Sequence, residues 1–285
     1  MRLLSKSRRQ SLEAIAARLL WGLFAALPLD AASGLAGAVG RLVGPHLKVS
    51  DVARRNLAGA FPDWDAARIE ATLREVWDNM GRVAGEFPHI ATISRDRVEV
   101  VGGEVLDRIK AAGGPGLFVS AHLANWELSG ATVCGWGIPV ALVYRAANNP
   151  HINEFFARGR APSAVAGQIA KGPEGAREIM AMLKRRGFLG LLVDQKMNDG
   201  IAVPFFGRDA MTAPAVARFA ARFGIGIVPV QVERLRGARF RITFHQPLPT
   251  DADTLATMTE INRLFEEWIR ARPGQWLWLH RRWPD

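Results

Sequence analysis

Residues 115–130, PGLFVSAHLANWELSG, leave this chain few folds to choose from. Leu117, Phe118 and Val119 form an apolar run behind two glycines and Pro115, the pattern of a buried strand. A helix is expected over residues 126–136 and a second strand over 138–144. Strand, helix and strand in that order predict an α/β sandwich whose sheet is at least partly parallel. Such sheets carry their chemistry beyond the C-terminal ends of the strands, where His122 and Arg145 fall.

His122 precedes Glu127 by five residues. Five residues turn a continuous α-helix by roughly 500°, which leaves the side chains about 140° apart. A strand-to-helix turn removes that obstacle. It can fold His122 back over the helix start, with Asn125 offered as the cap, where the dipole favours an ionised Glu127. An imidazole held by a carboxylate is suited to take a proton from a hydroxyl. His122 and Glu127 are therefore the expected catalytic pair. Asp194, which closes the apolar strand 188–193 beside Gln195, competes with Glu127 as the imidazole's partner.

Elsewhere the pattern alternates. Residues 56–90 read as helical, with a break at Phe61-Pro62 and Asp63 or Asp65 as cap. A strand is expected at 98–101 and helices at 104–112, 149–160, 174–186, 212–223 and 254–272. Residues 161–175 and 203–207 read as loops. Strands at 225–232 and 239–245 are expected to pair as an antiparallel hairpin. Trp276, Trp278 and Trp283, together with Arg281 and Arg282, suit either a membrane interface or packing on the core.

The formal charge is +10, carried mostly by arginine, and calls for an anionic partner. No nucleic-acid motif accompanies it, and the arginines are spread along the chain, so an anionic membrane surface or an acidic protein is favoured over nucleic acid. A single cysteine, Cys134, excludes an internal disulfide. Scattered histidines and the lack of a P-loop, H-E-x-x-H or G-x-S-x-G pattern imply no metal and no cofactor. Residues 1–10 are basic and lead into an apolar stretch. Its uncharged core is about half the roughly 20 residues that span a bilayer. A marginal transmembrane helix, an interfacial anchor and a signal-like segment remain open, with a membrane anchor favoured over a core helix. Small residues Ala32, Gly34, Gly37 and Gly40 can let this segment pack closely on the rest. The expected organisation is an anchor segment, 1–45, followed by one α/β domain, 46–285.

HLANWE at 122–127, VYR at 143–145, DQ at 194–195, VPFFG at 203–207 and QWLWLHRRW at 275–283 together resemble the bacterial lipid A secondary acyltransferases. These lauroyl and myristoyl transferases belong to a superfamily that carries an H-x4-D/E signature. The resemblance implies a glycerolipid acyltransferase-like fold, a mixed sheet flanked by helices behind an N-terminal membrane-anchor helix. It implies acyl transfer from acyl carrier protein to a hydroxyl of a lipid A precursor, at the cytoplasmic face of the inner membrane. Another glycolipid or a lipoamino acid as acceptor, acyl-CoA as donor, and a non-catalytic lipid-binding protein of the same fold are the alternatives. Under the resemblance Arg145 binds a phosphate or steadies the oxyanion. Arg158 and Arg160 are further phosphate candidates, with the register between them open, and Arg218 is expected to face the site. Phe205 and Phe206, with Trp126, are expected to contact acyl chains or the bilayer.

Overall fold

The computed structural model describes residues 6–161, 166–249 and 253–283. Arg2, in the basic leader, lies outside them, as does the 162–165 part of the expected loop. Two helices, α1 (Lys6–Ala26) and α2 (Leu29–Val43), are separated at Pro28. They precede α3 (Ser50–Ala60) and α4 (Ala66–Glu86), which starts on an Asp65 carboxylate accepting from Arg68 N–H at 2.8 Å. After α5 (Ile90–Asp96), strands and helices alternate: β1 (Val98–Val101), α6 (Gly103–Ala112), β2 (Gly116–Ser120), α7 (Glu127–Gly135), β3 (Val140–Tyr144) and α8 (Pro150–Arg160). The chain continues through β4 (Gly167–Ala170), α9 (Pro173–Lys184), β5 (Phe188–Leu192), β6 (Lys196–Phe205), β7 (Arg208–Thr212) and α10 (Ala215–Phe223). It finishes with β8 (Ile227–Arg236), β9 (Arg239–Phe244) and α11 (Thr254–Ala271).

The main sheet runs β1-β9-β8-β2-β5-β3-β4, and β6 pairs with β7 outside it. Every neighbour in the main sheet is parallel except the β8–β9 hairpin. The apolar strand β2 is buried along its whole length between β5 and β8. Helices cover both faces. Phe118, Val140 and Val230 meet Leu128 and Val133 of α7 on one side. Leu117, Val119 and Leu189 meet Ile179 of α9 and Phe265 of α11 on the other.

Two expectations change here. The segment 161–175 contains β4, an edge strand made by pairing Gly167–Ala170 with 141–144. GQIA has little strand propensity of its own, so the neighbouring ladder supplies what the residues do not. Residues 203–207 end β6 and turn into β7 rather than forming an open loop. Phe206 and Gly207 both take positive φ, 53° and 69°, as tight hairpin turns require. Glu266 secures that turn by accepting Phe206 N–H at 2.6 Å.

The N-terminal anchor is corrected in its spanning form. Among the described residues no helix is long and apolar enough to cross a membrane, because Pro28 divides the apolar stretch and Arg18 interrupts α1. Instead α2 lies against α4 through small residues. A Cβ on Gly40 would collide with the Trp77 carbonyl, and one on Gly81 with that of Ala36. Ala32 and Gly37 share this seam, whereas Gly34 faces open space. The outer faces remain apolar: Leu12, Ile15, Leu19, Leu20 and Leu23 of α1 are exposed, as are Leu35, Val39, Leu42 and Val43 of α2.

Candidate active site

The parallel ladder of β2 on β5 pairs Ser120 with Leu192. Two residues further along each strand stand His122 and Asp194, and their side chains meet. His122 Nδ1 lies 2.8 Å from Asp194 Oδ1, and the His122 backbone N–H donates to Oδ2 at 2.9 Å. Trp276 Nε1–H donates to the same Oδ2 at 2.8 Å. Asp194 is completely buried. Burial alone would raise its pKa, but the charge of His122, its two hydrogen bonds and the charge of His280 outweigh that. The carboxyl is held well below the usual carboxylate range. An ionised Asp194 only accepts, so Nδ1 carries the proton, and the neutral form of the ring has its free lone pair on Nε2.

Glu127 is occupied differently. Its Oε2 accepts Arg160 Nε–H at 2.7 Å and its Oε1 accepts Arg160 Nη2–H at 2.5 Å, a bidentate pair. Trp126 Nε1–H adds a bond to Oε1 at 3.2 Å. The expected pairing of His122 with Glu127 is thus corrected to His122 with Asp194, because His122 follows the sheet register while Glu127 turns toward α8. The rings of Trp126 and His122 meet edge to face, 5.1 Å between centroids.

Between them the chain makes a turn that local preference does not favour. Ala124 sits at φ 49°, the left-handed region, which costs a non-glycine residue roughly 1 kcal/mol or more. The C-terminal segment holds it there. Ala124 N–H donates to the Gln275 carbonyl at 2.8 Å, and Leu277 N–H donates to the His122 carbonyl at 3.1 Å. Asn79 Nδ2–H donates to the Ala124 carbonyl at 3.0 Å, and Arg234 Nε–H donates to Asn79 Oδ1 at 3.0 Å. Arg234 forms a buried bidentate pair with Glu86, which also accepts from Ser33 and Asn125. Asn125 is therefore neither a helix cap nor a cleft residue. It is fully buried, with Nδ2–H donated to Glu86 at 2.9 Å.

A cavity of about 320 Å³ opens at His122, within the usual size of small-molecule sites. His122, Glu127, Arg145, Arg160, Lys171 and Gln195 make its polar part; Phe118, Val133, Val140, Leu142, Gly190 and Val230 make its apolar part. Burial pushes the Lys171 ammonium down and the Arg145 charge adds to this, against the attraction of Asp194. No ion-pair partner stands beside Arg145 or Lys171 among the described residues.

Other predicted residues fall elsewhere. Arg158 is exposed and pairs with Glu154 one turn away, in a separate cleft with Arg18 and Trp21. Arg218 is exposed on α10 and does not line the cavity. Phe205 and Phe206 are buried, with centroids 5.6 Å from Trp276 and 5.4 Å from Phe61 respectively. They belong to the aromatic core rather than to an acyl or bilayer contact, and Trp278 and Trp283 are buried with them. Sequence reasoning missed Lys171, Asn79, Gln275, Arg234 and Glu86. Glu86 did carry a signal. It lies three residues after Val83, on the same buried stripe of α4 as Leu73 and Val76, where an acid needs a partner.

Residues 6–285 match the family described as "Bacterial lipid A biosynthesis acyltransferase". The chain belongs to that family. It is similar to the lipid A biosynthesis palmitoleoyltransferase of Escherichia coli (strain K12) and to the lipid A biosynthesis acyltransferase of Shigella flexneri. Each is 27% identical over 275 residues, covering 92% of this chain and 88% of the relative. The cleft around His122 is accordingly the candidate active site of an acyltransferase of lipid A biosynthesis.

Proposed function

We propose that this enzyme moves a fatty acyl group from acyl carrier protein to a hydroxyl of a lipid A precursor, with His122 as general base. The observation that carries this is the Asp194–His122 hydrogen bond at the rim of a half-apolar cleft. Nδ1–H is fixed on an anion, so Nε2 receives the proton of the acceptor hydroxyl. The alkoxide oxygen bonds to the thioester carbonyl carbon, the C–S bond breaks, and the thiolate leaves as a thiol with the proton from imidazolium. Asp194 orients the ring and offsets the charge that forms on it. Glu127 and Arg160 brace the wall beside His122, and Arg145 with Lys171 supplies positive charge at the mouth for a phosphate or for the oxyanion.

Carrier proteins are acidic, and a net charge of +10 favours their encounter. The exposed leucines and valines of α1 and α2 support attachment to the surface of the inner membrane on its cytoplasmic face, lying in the interface. The test is acyl transfer by purified protein in detergent from labelled acyl carrier protein, and separately from acyl-CoA, to a lipid A precursor. Transfer from the carrier protein that vanishes in His122→Ala is expected. Transfer retained in a folded His122→Ala protein would remove His122 as base, and transfer only from acyl-CoA would overturn the donor.

A further inference from the structure

We infer that Gly190 decides which acyl chains the cleft accepts. This rests on the acyl-transfer reading above and deepens it by assigning the chain's binding wall. The parallel ladders set Phe118, Gly190 and Leu142 level with one another across β2, β5 and β3. All three line the cavity, as do Ser120 and Leu192 in the row above, next to His122. At about 3.3 Å per residue, the row at Phe118 lies roughly 13 Å below His122. Val140 pairs with Phe188, which is level with Gly116, and so lies roughly 20 Å below. An extended long-chain acyl group spans that depth, with its carbonyl at His122 and its methyl end near Val140.

Gly190 is the bare position in this wall. Its neighbours in the row present a phenyl ring and an isobutyl group, while Gly190 sits in the apolar strand FLGLL. Glycine weakens a strand interior, so its presence needs a reason. Backbone geometry gives none: Gly190 is absent from the residues with positive φ, and pairing continues through 188–192 without a bulge. What remains is close approach, and the group that approaches is the Leu142 side chain, which lies over Gly190 and is thereby kept back from the passage. A Cβ added there would stand 2.9 Å from Leu142 Cδ2, so a side chain must either displace Leu142 or fill the passage. Gly190 therefore keeps the channel open at mid-depth. A larger residue would stop the chain in the row above.

The experiment compares wild type, Gly190→Ala, Gly190→Val and Leu142→Ala with donors of graded chain length competing for one acceptor. Displacement of a fluorescent fatty acid by saturated fatty acids of graded length runs in parallel. In Gly190→Val the ratio of kcat/KM for long over short donors should fall about tenfold, the effect of excluding about two methylenes from burial. Leu142→Ala should move the ratio the opposite way, which a misfolded protein cannot imitate. Ratios unchanged in both variants, or displacement curves identical to wild type, would overturn the inference. If wild type transfers no acyl group but displacement still shows the length-dependent shift, the acyl-transfer reading fails and the role of Gly190 stands.

Discussion

Replacing Asp194 by asparagine tests the site through the count of its hydrogen bonds. The two carboxylate oxygens receive three donors: His122 Nδ1–H, the His122 backbone N–H and Trp276 Nε1–H. An asparagine has one acceptor oxygen and an NH2 group in the same space. If the NH2 takes the Oδ2 position, two buried N–H groups lose their acceptor, at about 1–3 kcal/mol each. If it takes the Oδ1 position, only Nδ1 must adapt, by becoming an acceptor and moving its proton to Nε2. The second arrangement is cheaper, and it disables the base, because a protonated Nε2 in a neutral ring cannot take a proton. A general base contributes about 10²–10⁴ in rate, or about 3–5.5 kcal/mol. We therefore expect Asp194→Asn to lower kcat by that factor with little change in KM, in initial-rate measurements over both substrates. Glu127→Gln, measured alongside, retains the Asp194–His122 bond. A fall in kcat of less than about tenfold in Asp194→Asn, with a larger one in Glu127→Gln, would refute the assignment of the imidazole's partner.

Glu86→Gln leaves Arg234 buried without its counter-charge, so stability should drop by about 3–5 kcal/mol and Tm by roughly 6–20 °C; a smaller change in calorimetry would mean that the pair is replaceable. Trp276→Phe removes one donor to Asp194 and should lower kcat by about tenfold with KM unchanged, whereas a raised KM would put the indole in substrate binding. Because Asp194 has a depressed pKa in the fold, its stabilising contribution is fully present above the ordinary aspartate value of about 4 and is lost progressively as pH falls from there toward the depressed folded value. The gap between the urea midpoints of wild type and Asp194→Asn should be constant above about pH 5 and narrow steadily as pH falls below about 4, and a gap that stays constant there would contradict the linkage. Leu19→Glu combined with Leu42→Glu, both on exposed helix faces, should reduce co-sedimentation with anionic vesicles; undiminished binding would exclude these faces as the attachment surface.

The local sequence determined most of the elements. The apolar run of β2, the hairpin of β8 with β9, and α11 follow from periodicity and turn residues, which act over a few positions. His122 at the end of a buried strand was equally legible. Its partner was narrowed to Glu127 or Asp194 and not decided between them. Spacing along the chain brought Glu127 forward, but the side chain that His122 meets lies 72 residues away and is chosen by the register of two parallel strands. Phe205, Phe206 and the tail tryptophans posed the same difficulty. Their composition suits a membrane surface and a packed interior alike, and only the closing of β6–β7 and the tail over α3 and α11 buried them. Gly190 had no meaning until Leu142 and Phe118 stood beside it. Hydrophobic pattern and backbone preference are properties of neighbouring residues, whereas a catalytic contact or a cavity wall depends on which distant strands pair and in which register, and that is settled by burial of the whole sheet.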